Sequence, residues 1–257
     1  MARFEFRDAT AVVTGATGGI GLAIAEELID EGCRVIGVGR REDQLRAIED
    51  WHNDAFIPVA ADLAKPSSID QIADAVERHF GGELKLLVNN AGVGAIGPFA
   101  EADSDRMRTV FEINFFAAAE LSRRLYPALR MSAPSTLCNI GSVLGHTAVP
   151  DKSEYCASKF ALHGWNDSIR TEWAGDNIRV TMVSPSTTRS GFFSALVGTA
   201  PGTKSKSLGS WSPQEVAAAS VKAIRHGRRE VILSAGGKAL VYADRLVPDV
   251  VSWLLRR

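Results

Sequence analysis

The chain has few cysteines, no excess of charge of either sign and no long apolar run. Cys33, Cys138 and Cys156 are the three cysteines among 257 residues, and they stand far apart. An odd, scattered set excludes a disulfide framework and the close pairs of a thiolate metal site; it suits a reducing compartment. Lysine and arginine number 29 against 30 acidic residues, a formal net charge of −1. That balance offers no basic surface to nucleic acid, so no nucleic-acid partner is expected. No apolar run approaches the ~18 residues of a membrane-spanning helix. The N-terminus "MARFEFRDAT" is charged throughout and lacks the apolar stretch of a signal peptide. The expected location is cytoplasmic. Internal repeats and long polar linkers are absent too, so residues 1–257 read as a single domain.

What is present is an alternation. "TAVVTG" reads as a short buried strand and "IGLAIAEELIDEG" as a helix; "RVIGVG", "AFIPVAAD" and "LKLLVNN" are further strands with amphipathic segments between them. A long helix is expected from about Ser104 to Arg130, a strand at "TLCNIGS", and a helix over about 154–174. "IRVTMVSP", "PQEVAAASVKAIRHG" and "REVILS" add a strand, a helix and a last strand. Continuous apolar strands alternating with amphipathic helices predict an α/β fold. It is a Rossmann-type, doubly wound parallel sheet of about seven strands with helices on both faces. Residues at about 187–211, including "GTAPGTKSKSLGSW", read as a flap, and about 238–257 as a helical extension.

The stretch "TGATGGIG" at 14–21 falls where the first strand turns into the first helix. In a doubly wound sheet that turn faces the pyrophosphate of a dinucleotide. Gly15 permits the tight turn, Gly19 lets backbone approach phosphate, and Gly21 lets the helix pack close to the sheet. Thr17, Gly18 and Ile20 complete the loop.

The spacing is T-G-x-x-x-G-x-G, and here the sequence resembles the short-chain dehydrogenase/reductase family. "NNAG" at 89–92, Asn114 in "EINFF", Ser142 in "NIGSVLG", "YCASK" at 155–159 and "SPSTTRS" at 184–190 follow in order. The resemblance covers nearly the whole chain and implies an oxidoreductase that interconverts a carbonyl and an alcohol by hydride transfer. Tyr155 and Lys159 are four apart, on one face of a predicted helix. A free tyrosine has a pKa of ~10, poor for proton transfer near neutrality; lowering it to roughly 7 takes about 4 kcal/mol of differential interaction. A nearby ammonium and a positive nicotinamide ring are the implied sources. By resemblance Tyr155 is the general acid/base, Ser142 holds the substrate oxygen, and Asn114 holds a water leading to Lys159. Lys159 also binds the nicotinamide ribose. Asn90, Ala91, Gly92, Pro185, Thr188 and Ser190 are implied cofactor contacts, with Asp62 and Leu63 at the adenine. Ser186 stands where the family commonly has glycine.

NAD-specific sites place an acid at the end of the second strand for the ribose 2′-OH. This chain has Gly39, Arg40 and Arg41 there. Arginine binds a 2′-phosphate that an acid would repel, so NADP is expected rather than NAD, with Arg40 nearest the phosphate. Phe192, Phe193, Leu196 and Val197 predict a hydrophobic carbonyl or alcohol substrate. Cys156 reads as a packing residue and His146 as a solvated loop histidine, with a place at the pocket border as the other reading. The tail "VYADRLVPDVVSWLLRR" has three competing uses: packing on the sheet edge, a subunit contact, or lying on a membrane surface. The resemblance implies a homodimer or homotetramer through the long helices. A non-catalytic dinucleotide sensor and a membrane-surface lipid or steroid reductase are the alternative functions.

Overall fold

Seven short strands carry the core. They are β1 (Thr10–Thr14), β2 (Arg34–Gly39), β3 (Phe56–Ala60), β4 (Leu86–Asn89), β5 (Ser135–Ile140), β6 (Ile178–Ser184) and β7 (Glu230–Ile232). The computed structural model describes residues 3–188, 196–199 and 211–255. Among them the strands form one parallel sheet in the order β3-β2-β1-β4-β5-β6-β7. Val12 pairs with Ile36 on one side and Leu87 on the other, which fixes β1 at the centre. β1, β4 and β5 are buried almost end to end because helices cover both faces. One apolar layer joins Val13, Ile24, Leu28 and Ile224; the other joins Val12, Ile72, Leu121 and Ile169.

The helices are α1 (Gly19–Asp30), α2 (Glu42–His52), α3 (Ser67–Phe80), α4 (Ser104–Phe111), α5 (Ala117–Met131), α6 (Ser153–Glu172), α7 (Pro213–Arg225), α8 (Ala235–Leu246) and α9 (Pro248–Leu255). The strand order reverses between β1 and β4, so the crevice beyond their carboxyl ends is the place for a ligand.

The expected long helix over 104–130 is interrupted. Residues Glu112–Phe116 form a π-helical turn between α4 and α5. One extra residue in the turn aims Asn114 into the protein, where it is buried. The tail also differs from expectation. It begins earlier, at Ala235, and splits at Val247–Pro248 into α8 and α9, because proline cannot donate into a continuing helix.

Candidate active site

The glycine turn is held by what faces it. Gly15 has φ +70, a conformation that side chains disfavour, and a Cβ there would lie 2.8 Å from Asn90 Nδ2. A Cβ on Gly21 would lie 2.2 Å from the Gly15 carbonyl oxygen, so α1 reaches the sheet only without one. Asn90 Nδ2 donates to Thr14 O at 2.9 Å, and the Asn90 and Ala91 N–H groups both donate to Thr14 Oγ1 at 3.0 Å. The loop after β4 is thus tied to the loop after β1. No side chain caps the start of α1 at Gly18, and no acid stands in its first turn. Uncapped N–H groups at a helix start fit a phosphate.

These loops open into a cavity of about 1220 Å³. Gly15, Thr17, Gly18, Gly19 and Ile20 line it from the turn; Arg40, Arg41, Asp62 and Leu63 line it from the ends of β2 and β3. Asn90, Ala91, Gly92, Pro185 and Thr188 line it from the loops after β4 and β6, and Ser142, Tyr155 and Lys159 from beyond. A dinucleotide fits this cradle by its volume, its glycine-rich turn and its uncapped helix. Gly21 and Asn114 lie behind the cavity wall rather than in it. Ser190, like Phe192, Phe193 and most of the expected flap, lies outside the described residues. The flap's Leu196 bridges to Gly94, and Val197 N–H donates to Gly94 O at 2.8 Å.

Gly19 tests the turn. Its φ is +56, and valine there is strained while its branches occupy the space of a phosphate. Gly19→Val should weaken binding of a nicotinamide dinucleotide by at least ~10²-fold, the scale of losing several charge-assisted hydrogen bonds. The far-UV spectrum should stay native. A fluorescence titration that matched wild type would show the turn to be structural.

Arg41 is expected to assist Arg40 or to face solvent, and it is the Arg41 guanidinium that crosses to the glycine turn. Its Nη2 donates to Thr17 O and Thr17 Oγ1, both at 3.1 Å. A Cβ on Gly39 would lie 2.5 Å from Thr17 Cγ2, so this strand end has no room for a side chain. Asp62 Oδ1 accepts from the Ala64 N–H at 3.2 Å and closes its own turn.

Tyr155 and Lys159 project from the first two turns of α6 into the cavity. Ser142 precedes a 3₁₀ turn, Val143–Gly145, and its Oγ accepts the Leu144 N–H at 3.1 Å. A Cβ on Gly145 would lie 2.8 Å from the Lys159 carbonyl oxygen, so a glycine lets this turn press against α6. Ser142 and Tyr155 consequently face the same cavity, near enough for Ser142 to act on the phenol. Lys159 Nζ donates to Ile140 O at 2.9 Å and lies 6.0 Å from the centre of the Tyr155 ring. Burial dominates both groups. It pushes the Tyr155 phenol up to about 12, against the opposing hydrogen bond from Ser142. It brings Lys159 down to about 8. The shift toward 7 expected for Tyr155 is not seen: burial raises the phenol, and the nearby ammonium does not offset it.

The Asn114 side chain is spent on the protein. Oδ1 accepts the Val93 N–H at 2.8 Å, while Nδ2 donates to Val93 O at 2.9 Å and to Ser158 Oγ at 3.0 Å. Both amide hydrogens are used, and one lone pair of Oδ1 remains for a water toward Lys159. Ser186 takes the family's glycine position without strain, since it lies outside the left-handed region.

Sequence reading missed three features. Arg106 on α4 is buried against α6, where its Nε donates to Glu154 Oε1 at 2.7 Å, and its Nη1 donates to Gly198 O at 3.2 Å. No local spacing joins partners 48 and 92 residues apart. The tail takes a use not among the three weighed: Leu240, Leu254 and Leu255 form a wall of the cavity. His146 is no solvated loop residue and no pocket residue. It is buried, with Nε2 at 3.1 Å from Ser184 Oγ and 2.9 Å from Glu230 Oε1. Cys156 is buried packing, as expected.

Comparison with known proteins agrees with this geometry. The family model described as short chain dehydrogenase matches residues 9–199. The Dehydrogenase/reductase SDR family protein 7-like of Anopheles gambiae is 29% identical over 262 residues, covering 96% of this chain and 81% of its own. A short chain dehydrogenase from Burkholderia cenocepacia J2315, solved in complex with NADP, superposes with a TM-score of 0.83 at 25% identity, covering 98% of this chain and 99% of its own. One from Burkholderia phymatum, in complex with NAD, has a TM-score of 0.87 at 24% identity and covers 96% of both chains, a likeness of fold. Among the described residues no helix is long and apolar enough to cross a membrane. With its matched residues spanning both the glycine turn and the Tyr155–Lys159 helix, the chain belongs to the short-chain dehydrogenase/reductase family of oxidoreductases.

Proposed function

We propose that the protein is an NADP-dependent reductase of hydrophobic carbonyls, with Tyr155 as the general acid and Ser142 as its partner at the substrate oxygen. The observation that carries this reading is the placement of Ser142, Tyr155 and Lys159 in the same cavity as the uncapped glycine turn. A bound nicotinamide supplies the hydride. Tyr155 gives its proton to the carbonyl oxygen as negative charge develops there. Ser142 O–H holds the same oxygen. Lys159, fixed by the Ile140 carbonyl, stabilises the tyrosinate that remains. Burial keeps Tyr155 protonated at neutral pH, so the resting site is loaded for reduction. Val93, Ile113, Leu144, Val149, Leu240 and Leu254 line the cavity and favour an apolar substrate.

The NADP preference rests on Arg40 and Arg41 at a strand end that has no acid. Arg41 already spans the gap to Thr17, so a 2′-phosphate would meet a placed guanidinium. A charge-assisted hydrogen bond contributes about 1.5–3 kcal/mol, so Arg41→Ala should weaken NADPH by roughly 10–150-fold and leave NADH nearly unchanged. Paired dissociation constants for wild type and variant decide it. Equal wild-type affinities for NADPH and NADH, or equal losses of both in the variant, would refute the assignment. Gly39→Asp alone would press on Thr17; combined with Thr17→Ala it should turn preference toward NADH. A panel of carbonyls screened with NADPH and NADH in parallel tests the reaction itself, and turnover of none would favour a non-catalytic sensor.

A further inference from the structure

Beneath the turn that carries Ser142, three side chains from separate elements converge. His146 follows the 3₁₀ turn after Ser142, His163 lies one helical turn beyond Lys159 on α6, and Glu230 opens β7. Glu230 Oε1 lies 2.9 Å from His146 Nε2 and 3.5 Å from His163 Nε2. The two rings are stacked at a tilt, with centroids 4.3 Å apart. The ligand atoms of the three residues all lie within 4.8 Å of one another.

Glu230 Oε1 is buried and has no hydrogen-bond partner among the described residues. His146 Nε2 meets both Glu230 Oε1 at 2.9 Å and Ser184 Oγ at 3.1 Å, and one ring nitrogen carries at most one proton, so it cannot serve both in full. An uncompensated acceptor facing two imidazole nitrogens in a buried place is costly, unless something positive sits among them. We propose that His146, His163 and Glu230 bind one divalent transition-metal ion of the zinc class, which clamps the Ser142 turn, α6 and β7 together.

The donor set decides the class. Two imidazoles and one carboxylate suit Zn²⁺; magnesium and calcium want more oxygen ligands. A tetrahedral ion held at about 2.0–2.2 Å needs its ligands roughly 3.4 Å apart, which the closer contacts already approach. His163 is one-fifth exposed, which leaves an entry path and a position for water as a fourth ligand. Ser184 Oγ would give up its bond to His146 Nε2. The surrounding charge is mixed. Asp167, one helical turn beyond His163, adds negative charge but is engaged by Arg170 and Arg229. Arg245 on α8 acts on His163 from the other side. The other three histidines, His52, His79 and His226, stand on separate elements and form no such group. The site lies outside the substrate cavity, since none of its three residues lines it. Its expected role is mechanical.

The test uses the full chain, stripped with a chelator and dialysed, and titrated with Zn²⁺ alone by calorimetry. Wild type should bind one equivalent, at least ~100-fold more tightly than His163→Gln or Glu230→Gln. Co²⁺ in place of zinc should give visible d–d absorption that both variants lack. Saturating Zn²⁺ should raise the Tm of wild type by about 5 °C or more and leave the variants unmoved. Both substitutions are at partly exposed positions and nearly isosteric, so native far-UV spectra are expected. Glu230→Gln removes the carboxylate with no change of size should the histidine variant fail to fold. Zinc binding of equal strength in wild type and in the folded variants, or no binding by wild type, would overturn the proposal.

Discussion

Tyr155→Phe is expected to lower carbonyl turnover by at least ~10²-fold and leave the fold and NADPH affinity intact. In the proposed mechanism the phenol is the acid that the developing alkoxide meets, and phenylalanine keeps the ring while removing the proton. The hydroxyl's interaction with Ser142 is a local contact. Its loss costs about 1 kcal/mol of stability, too little to unfold the chain. Cofactor affinity should persist, because the glycine turn, Arg41 and Lys159 are untouched. Ser142→Ala is the less clean experiment. Ser142 Oγ also accepts the Leu144 N–H, so its removal loosens the turn as well as the substrate oxygen. Single-turnover rates with saturating NADPH separate chemistry from binding. A Tyr155→Phe enzyme within tenfold of wild type would sink the general-acid assignment.

The parts that sequence exposes are those written in local periodicity. β1 and β4 carry unbroken apolar runs, Ala11–Val13 and Leu86–Val88, because helices cover both faces, and such runs are visible directly. Tyr155 and Lys159 share a face because four residues make about one helical turn. Gly15 and Gly21 announce a place where backbone meets backbone. What sequence conceals is decided by contacts between distant residues. Asn114 sits in a π turn whose extra residue matters only because Val93 and Ser158 wait to receive its amide. His146 is drawn inward by Ser184 and Glu230, on strands far along the chain. The α9 helix presents Leu254 and Leu255 to the cavity, although its apolar pattern alone fits an interface or a membrane equally well. Arg40 and Arg41 were separable only by geometry, since the chain path sends Arg41 toward Thr17.

Lys159→Met is expected to raise the stability of the cofactor-free protein at pH 7 while lowering turnover by ~10²-fold or more. The two effects have one origin. Lys159 is 4% exposed, and burial brings its pKa from the ordinary 10.5 to about 8. That gap corresponds to about 3 kcal/mol spent on holding the ammonium in the folded protein, at ~1.36 per unit. Methionine fills similar space without a charge. It leaves the Ile140 carbonyl without its donor, a cost of about 1–3 kcal/mol, so the net gain should be about 1 kcal/mol and at most about 2. The pH dependence fixes the sign. Between about 8 and 10.5 the folded wild type binds fewer protons at Lys159 than the unfolded chain does. Wild-type stability therefore climbs with pH across that window, and the burial cost is full below it. The advantage of Lys159→Met should be greatest at pH 6–7 and should vanish or reverse by about pH 10. Tyr155 titrates above this window, so it adds little to the difference. Urea denaturation of both proteins across this range is the measurement. A merely structural lysine predicts a variant less stable at every pH, with a flat difference. That outcome, or turnover within tenfold of wild type, would remove Lys159 from the proton machinery.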